Sequence, residues 1–421
     1  MPADDVEVIN PVPADAIAGW ARTMSTTFLR DPAGPESERR VGLLERVWDP
    51  TRAWGARTDD RWVATLRTEA RRLTVPGAGG DTRELEVDAL TNVTVAATHR
   101  RRGLLRRMLE ASLRAARDRG DALSILIAAE WPIYGRYGYA PATLAADYVL
   151  RRARPGGTVA GDPARVRAVE REEFGALAGP VFAAARRGRA GQIDREGPWW
   201  DRTLGLGGYE LPPDLPHNWL VHDGDDGPDG LIAWTAGGDN DGLLPPFGSV
   251  ETWGLVAAND QAYRNLWSYV SGIDIVDEVR VDNRPVDEPL RWLLPDARTL
   301  VMTQHIDFLW LRLLDVPAAL QARRYAATDE LVLEVLDTDV PSFASGRFAL
   351  RADGDDVACA PTDRPADVEL HHRALASIYL GGFALGEMRA AGLTRELTSG
   401  ALARLDAMFR TPLAPWCATW F

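Results

Sequence analysis

Between residues 93 and 105 the chain reads VTVAATHRRRGLL, which sets three consecutive arginines and a glycine between two segments of different periodicity. Asn92-Val93-Thr94-Val95 alternates β-branched residues, as a half-buried strand does. From Leu104 the pattern turns helical. Leu105, Met108, Leu109 and Leu113 share one face, and Arg106, Arg107, Arg114 and Arg117 lie mostly away from it. Gly120 is placed to stop that helix, and Leu123 to Ala129 reads as a buried strand. A helix N-terminus offers unpaired N–H groups and the positive end of a dipole. Gly103 allows close backbone approach, and Arg100 and Arg101 add bidentate donors. An isolated Arg-Arg-Arg-Gly turn is most simply solvated charge. Held between a strand and a helix, it reads as a site for a pyrophosphate.

Other candidates are weaker when read alone. Tyr134 lies in the glycine-rich run Ile133-Tyr134-Gly135-Arg136-Tyr137-Gly138-Tyr139 and reads first as a core aromatic, as do Tyr137 and Tyr139. The C-terminal run TPLAPWCATWF is too apolar for a free end, which usually frays. Trp416, Trp420 and Phe421 read first as a cover for the last domain, with Pro412 and Pro415 stiffening the approach. Trp199-Trp200 reads as packing or as the cap of a pocket. Adjacent His371 and His372 should point to opposite faces of a strand. His99, His217, His222 and His305 show no metal spacing, so no metal is expected. The loop DGDDGPDG at 223–230 lacks an EF-hand's twelfth-position glutamate and reads as a hairpin turn.

Composition excludes whole classes of chemistry. All 48 basic residues are arginine. Without lysine there is no Schiff base, no lysine nucleophile and no P-loop Gly-Lys-Ser/Thr. Two cysteines, Cys359 and Cys417, make neither a disulfide framework nor a zinc cluster. A net charge of −13 argues against a nucleic-acid partner and suits a cationic one. No apolar run is long enough to span a membrane. The acidic opening MPADDVEVIN lacks a signal's apolar region, so a cytoplasmic protein is expected.

A chain of 421 residues needs several domains to position these groups. Arg154-Pro155-Gly156-Gly157 punctuates a first segment, 1–155. A second runs over 156–302 and a third over 303–421. In the third, LVLEVLDT and RFALRADGDD read as strands, the latter with a Gly-Asp turn at 354–355, and a helical pattern runs from about 373 to 410. A faint repeat links the first two segments. TNVTVAATHRRRGLLRRMLEA at 91–111 and TWGLVAANDQAYRNLWSYVS at 252–271 are each a short strand, a polar turn and an amphipathic helix. Val95-Ala96-Ala97 lies over Val256-Ala257-Ala258, and Gly103 over Arg264. Such a unit can mark a duplicated domain, and chance is an equal alternative.

Arg100-Arg101-Arg102-Gly103-Leu104-Leu105 resembles the Arg/Gln-x-x-Gly-x-Gly/Ala cofactor motif of GCN5-related N-acetyltransferases (GNAT), with Leu105 in place of the last small residue. VTVAATHRRRGLL, followed some thirty residues later by IYGRYGY, is similar to the paired hallmark of the enhanced intracellular survival (Eis) family. GPES at 34–37, LWLRLLDVPAALQARRY at 309–325 and an aromatic C-terminus extend the resemblance over most of the chain. It implies an α+β (α/β) fold: two tandem acetyltransferase-like domains, the second degenerate, and a sterol carrier protein-like domain whose tail reaches the first active site. The second copy has Asn259 to Arg264 where the first has its arginines and glycine, so one acyl-CoA site is expected.

The resemblance assigns roles by position. Val93 and Val95 offer backbone groups to pantetheine. Arg100, Arg101, Gly103 and Leu104 cradle the pyrophosphate of acetyl-CoA, and Ala129 and Glu130 lie beside the acetyl end. Tyr134 is the general acid and the α-carboxylate of Phe421 the base. Phe28, Asp31, Glu36 and Trp420 line the acceptor site. The implied activity is acetylation of cationic small-molecule amines of aminoglycoside or polyamine type, by a homohexamer. The alternatives are a non-catalytic CoA- or ligand-binding scaffold, transfer of a longer acyl group, and lipid transport by the last domain.

Overall fold

The computed structural model describes residues 6–59, 61–152, 156–195, 199–207, 218–237, 248–274 and 276–421. His217 and the boundary residues Arg154-Pro155 lie outside this set. No helix among the described residues is long and apolar enough to cross a membrane.

Three sheets organise the chain. The first has seven strands in the order Glu7–Ile9, Ala53–Thr58, Arg61–Pro76, Thr82–Val95, Leu123–Ile127, Leu309–Leu313 and Ala140–Pro141. The second also has seven: Leu300–Asp307, Leu144–Arg151, Glu278–Arg284, Ser249–Ala257, Gly227–Gly237, Asn218–Gly224 and Val166–Val169. The third has five: Asp356–Pro361, Gly346–Asp353, Asp329–Leu336, Val368–His371 and Thr394–Glu396. The acidic loop at 223–230 is the hairpin turn between Asn218–Gly224 and Gly227–Gly237.

The sheets do not respect cuts at 155 and 302. Leu144–Arg151, inside the expected first domain, pairs in the second sheet. Leu300–Asp307 straddles the second cut and also pairs there. Leu309–Leu313, from the expected third domain, lies in the first sheet between Leu123–Ile127 and Ala140–Pro141. All five of its residues are buried. A strand buried on both faces needs a place inside a sheet, and this one completes the first sheet from a distance of about 170 residues along the chain. One hydrophobic core then joins the first and third sheets, with Leu73, Ile125 and Leu311 packed with Leu333, Tyr379 and Met408.

The helical pattern at 373–410 is interrupted. It forms His372–Ile378, Leu385–Ala390 and Ala401–Phe409, with the strand Thr394–Glu396 between the last two. Gly381 and Gly392 adopt φ of 91° and 72°, the left-handed region that ends helical turns, and Gly400, φ 81°, is the N-cap of the last helix.

Candidate active site

The strand Thr82–Val95 is parallel to Leu123–Ile127, but the two pair only at Asp88–Ser124 and Ala89–Ile125. Beyond that point they diverge. On the other side Val95 stays paired with Ala64. A bulge at Asn92, φ 55°, sets two residues opposite Leu66 and bends the strand away. Val93 and Val95 therefore present backbone groups to an open V on the Leu123–Ile127 side.

The arginine turn lies at the end of this strand. Arg101 and Gly103 have φ of 63° and 74°, so the chain coils tightly into helix Leu104–Asp118. Gly103 is the N-cap residue, and no side chain caps the first turn. Its N–H groups, that of Leu104 included, are open to a ligand. A Cβ built on Gly103 meets no atom within 4 Å. Arg100 and Arg101 are exposed, and no carboxylate among the described residues pairs with Arg100, Arg101 or Arg102. An uncapped helix end, guanidiniums bonded to backbone carbonyls rather than to carboxylates, and free space at Gly103 fit a pyrophosphate.

Leu123–Ile127 ends before Ala129 and Glu130, which are exposed at the mouth of the V. Glu130 is the N-cap of the short helix Trp131–Tyr134. Tyr134 is buried, with its ring 6.2 Å from that of Tyr139 in an edge-on pair. Tyr139 is anchored by a 2.7 Å hydrogen bond with Ser124. Burial, with a smaller push from Glu130, raises the Tyr134 phenol to about 12. It is a proton carrier throughout the neutral range.

The tail arrives on the same strand. The Thr91 hydroxyl donates to the Phe421 main-chain oxygen at 3.1 Å. Trp420 is exposed and stacks edge-on against Phe308 at 4.9 Å. It lines a cavity of about 430 Å³ together with Trp199, Trp253, Trp416 and Asp282. Burial, with Asp147 and Glu251 close by, raises the Asp282 carboxyl. Trp199 takes the second of its two sequence readings and borders a pocket; Trp253 and Asp282 leave no sequence signal, because they come from separate segments with no shared spacing. Phe28, Asp31 and Glu36 sit elsewhere, on the lip between helices Ile17–Thr27 and Pro35–Val47. Phe28 is exposed, Asp31 accepts from the Ala33 amide, and Glu36 is paired with Arg40 at 2.7 Å and Arg30 at 3.5 Å. Glu36 is thus not a free anion for a cationic acceptor.

His371 and His372 correct the expectation of opposite faces. The strand ends at His371 and a helix starts at His372, so alternation stops between them. Their rings lie 4.4 Å apart, and their nitrogens gather with Asp339 within 4.8 Å. His372 packs beneath Gly138, where Arg312 hydrogen-bonds the Tyr137 and Pro341 carbonyls. This cluster joins the third domain to the turn that follows Tyr134.

The repeat is real, with a different register. Ser249–Ala257 is parallel to Glu278–Arg284 and splays from it after Thr252–Val281. Its bulge at Gly254, φ 65°, corresponds to Asn92. Thr94, rather than Val95, therefore matches Val256, and helix Asp260–Ser271 starts so early that Gly103 matches Asn259, not Arg264.

A splayed parallel pair, a left-handed bulge and an open arginine-rich helix end define an acetyltransferase of the GNAT type. The Acetyltransferase (GNAT) domain family matches residues 8–142 and again 191–313, and the Sterol carrier protein domain family matches 316–418. An uncharacterized N-acetyltransferase of Streptomyces avermitilis is 36% identical, covering 99% of both chains. N-acetyltransferase Eis of Mycobacterium tuberculosis is 36% identical over 97% of this chain and 92% of its own. The crystal structure of Eis1 from Mycobacterium abscessus superposes with a TM-score of 0.81 at 27% identity, covering 99% of this chain and all of that one. The chain belongs to the Eis family of N-acetyltransferases. GNAT acetyltransferases use acetyl-CoA, and N-acetylation requires an amine acceptor.

Proposed function

We propose that this chain acetylates amino groups of cationic small molecules of the aminoglycoside or polyamine type by direct transfer. The acyl donor supplies an activated thioester carbonyl. Val93 and Val95 hold its pantetheine arm by backbone hydrogen bonds, and Arg100, Arg101, Gly103 and Leu104 hold its diphosphate. Ala129 and Glu130 flank the acetyl end. As the carbon–nitrogen bond forms and the carbon–sulfur bond breaks, Tyr134 delivers a proton to the departing sulfur. The amine's proton passes to the Phe421 carboxylate. An α-carboxylate is a weak base in water, with a reference pKa of about 3.3–3.7. Its placement matters more than its strength.

The observation that carries this reading is the Thr91–Phe421 hydrogen bond at 3.1 Å, which sets the terminus on the cofactor strand. The tryptophan-lined cavity beside Trp420, with Asp282 in its wall, supports a cationic acceptor. Phe28, Asp31 and Glu36 are retained as an outer lip that a large acceptor would reach. A homohexamer is the assembly we expect, and light scattering on the purified protein checks it.

The test is thiol release from acetyl-CoA with a panel of aminoglycosides and polyamines. It is run on native protein and on protein extended by a few residues beyond Phe421. We expect turnover with the native chain. In the extended chain we expect a fall in kcat of about 100-fold, the low end for general acid–base catalysis, with acetyl-CoA still bound. Equal turnover in both removes the carboxylate from the mechanism.

A further inference from the structure

The tail reaches Thr91 by way of the second domain. Residues 189–195 follow the 3-10 turn Arg186–Gly188 after helix Arg171–Ala185 and run between two partners. On one side they pair with strand Arg61–Pro76 of the catalytic sheet: the Gly191 amide donates to Thr74, the Thr74 amide to Gln192 and the Asp194 amide to Arg72, at 2.8, 2.8 and 3.0 Å. On the other side they hold the tail residue by residue. Arg189 donates to the Ala414 carbonyl at 2.8 Å. The Trp416 amide donates to Ala190 at 3.0 Å. The Ala418 amide donates to the Gln192 side chain at 3.3 Å. The Thr419 hydroxyl donates to Ile193 at 3.3 Å. Gly191, φ 93°, lies so close that a Cβ there would come within 3.0 Å of the Trp416 backbone.

Arg195 ends this ladder. Its guanidinium donates to the Ala418 carbonyl at 2.6 Å and the Thr419 hydroxyl at 3.0 Å. Phe182, Trp199 and Trp200 surround it at 4.2, 4.5 and 5.2 Å. No carboxylate among the described residues pairs with it. Desolvation pulls it down to about 9, so the fold bears the cost of burying a cation next to neutral groups. An apolar residue in the same cage would avoid that cost and still pack. What the guanidinium adds is directed hydrogen bonds to the two residues that precede Trp420-Phe421. The V of the second domain assists: Trp416 lies across it, with its indole N–H donating to Asn283 at 3.1 Å and Arg284 stacked at 5.1 Å.

We infer that the second acetyltransferase-like domain serves as a clamp for the terminal carboxylate, and that Arg195 is the positioning residue that fixes Phe421 at Thr91. The inference rests on the carboxylate reading above. Arg195 borders the tryptophan-lined cavity, but its hydrogen bonds run to the tail, so the clamp requires that KM for the acceptor also stay within twofold in Arg195→Met.

The test measures kcat and the KM for acetyl-CoA and for the acceptor in four proteins: native, Arg195→Met, extended beyond Phe421, and both changes together. Bound acetyl-CoA counts the folded sites. We expect Arg195→Met to lower kcat at least 10-fold with KM for acetyl-CoA within twofold. Added to the extended chain it should cause no further loss, because the two changes disable one device. Thr419→Val keeps Arg195 and the side chain's shape while removing the hydroxyl. It should lower kcat several-fold, and it decides the question if Arg195→Met does not fold. Native kcat in both variants, with the extended chain impaired, overturns the clamp and leaves the carboxylate in place. Losses that multiply in the combined protein overturn the clamp as well, since Arg195 would then act outside the tail. Full activity of the extended chain alone overturns the carboxylate reading itself.

Discussion

Two copies of one strand–turn–helix unit have diverged at a single point. In each, a parallel pair opens into a V just before a left-handed bulge, at Asn92 in the first domain and Gly254 in the second. In the first, eight residues separate Val95 from the helix at Leu104; in the second, Ala258 and Asn259 alone separate Ala257 from the helix at Asp260. The shorter turn has no room for the arginines. It also closes the helix end: the Asn259 side chain accepts from the Ala262 amide at 2.9 Å and donates to Asp229 at 2.7 Å. Asp260 adds a second acid to the first turn. Anions favour a helix N-terminus, and here the protein supplies its own. The first copy leaves the end open and offers three arginines. One fold thus gives an open or a capped helix end, according to six residues of loop and the N-cap side chain.

The largest break in this comparison is Gly103→Val. A β-branched residue at φ 74° costs about 1–2 kcal/mol in strain, and its methyl groups enter the space the ligand needs. Acetyl-CoA affinity should fall about 100-fold or more, since each 1.4 kcal/mol is tenfold. Calorimetric titration with acetyl-CoA checks this, and unchanged affinity would mean that the open helix end is not the diphosphate site.

Tyr134→Phe comes next, because it removes a proton donor without emptying the aromatic pair with Tyr139. The expected loss in kcat is about 100-fold, with acetyl-CoA affinity unchanged. The pH profile sharpens it. A phenol raised to about 12 is protonated at every pH well below that value, so it cannot produce an alkaline fall in rate near pH 9. The rate should rise as the acceptor amine loses its proton. A fall near pH 9 in the native protein belongs to Arg195, which burial pulls down to about 9; a descending limb centred below 10 that persists in Arg195→Met would assign the acid to another group.

The first copy was legible because its chemistry is contiguous. Arg100, Arg101 and Gly103 are neighbours in sequence, and the change of period on either side locates them on a turn. The second copy's register was not legible. Both copies carry the same bulge, so it does not shift one against the other; the chance match of Val95-Ala96-Ala97 with Val256-Ala257-Ala258 sets the alignment one residue off, and the difference in loop length hides where the second helix begins. The strand exchange was hidden for a different reason. Leu309–Leu313 reads as a buried strand anywhere, and only tertiary packing decides which sheet receives it. Tail contacts such as Arg195 with Thr419 join residues 224 positions apart and leave no local pattern. Adjacent His371 and His372 misled because strand alternation was applied across a strand-to-helix junction.

The smallest expected effect bears most directly on the second copy. Asn259→Ala removes both the helix cap and one partner of Asp229, which keeps His222. Losing such a cap costs about 1 kcal/mol of stability, within a range of 0.5–2, so the denaturant midpoint should fall slightly. Uncapping alone should not make a phosphate site. The helix end would be open, but Asp229 and Asp260 would remain beside it with no arginine turn to offset them. Acetyl-CoA should therefore still bind once per chain, with the affinity of the native protein. A second binding event in the calorimeter would show that the capping side chain, rather than the missing loop, silenced this copy.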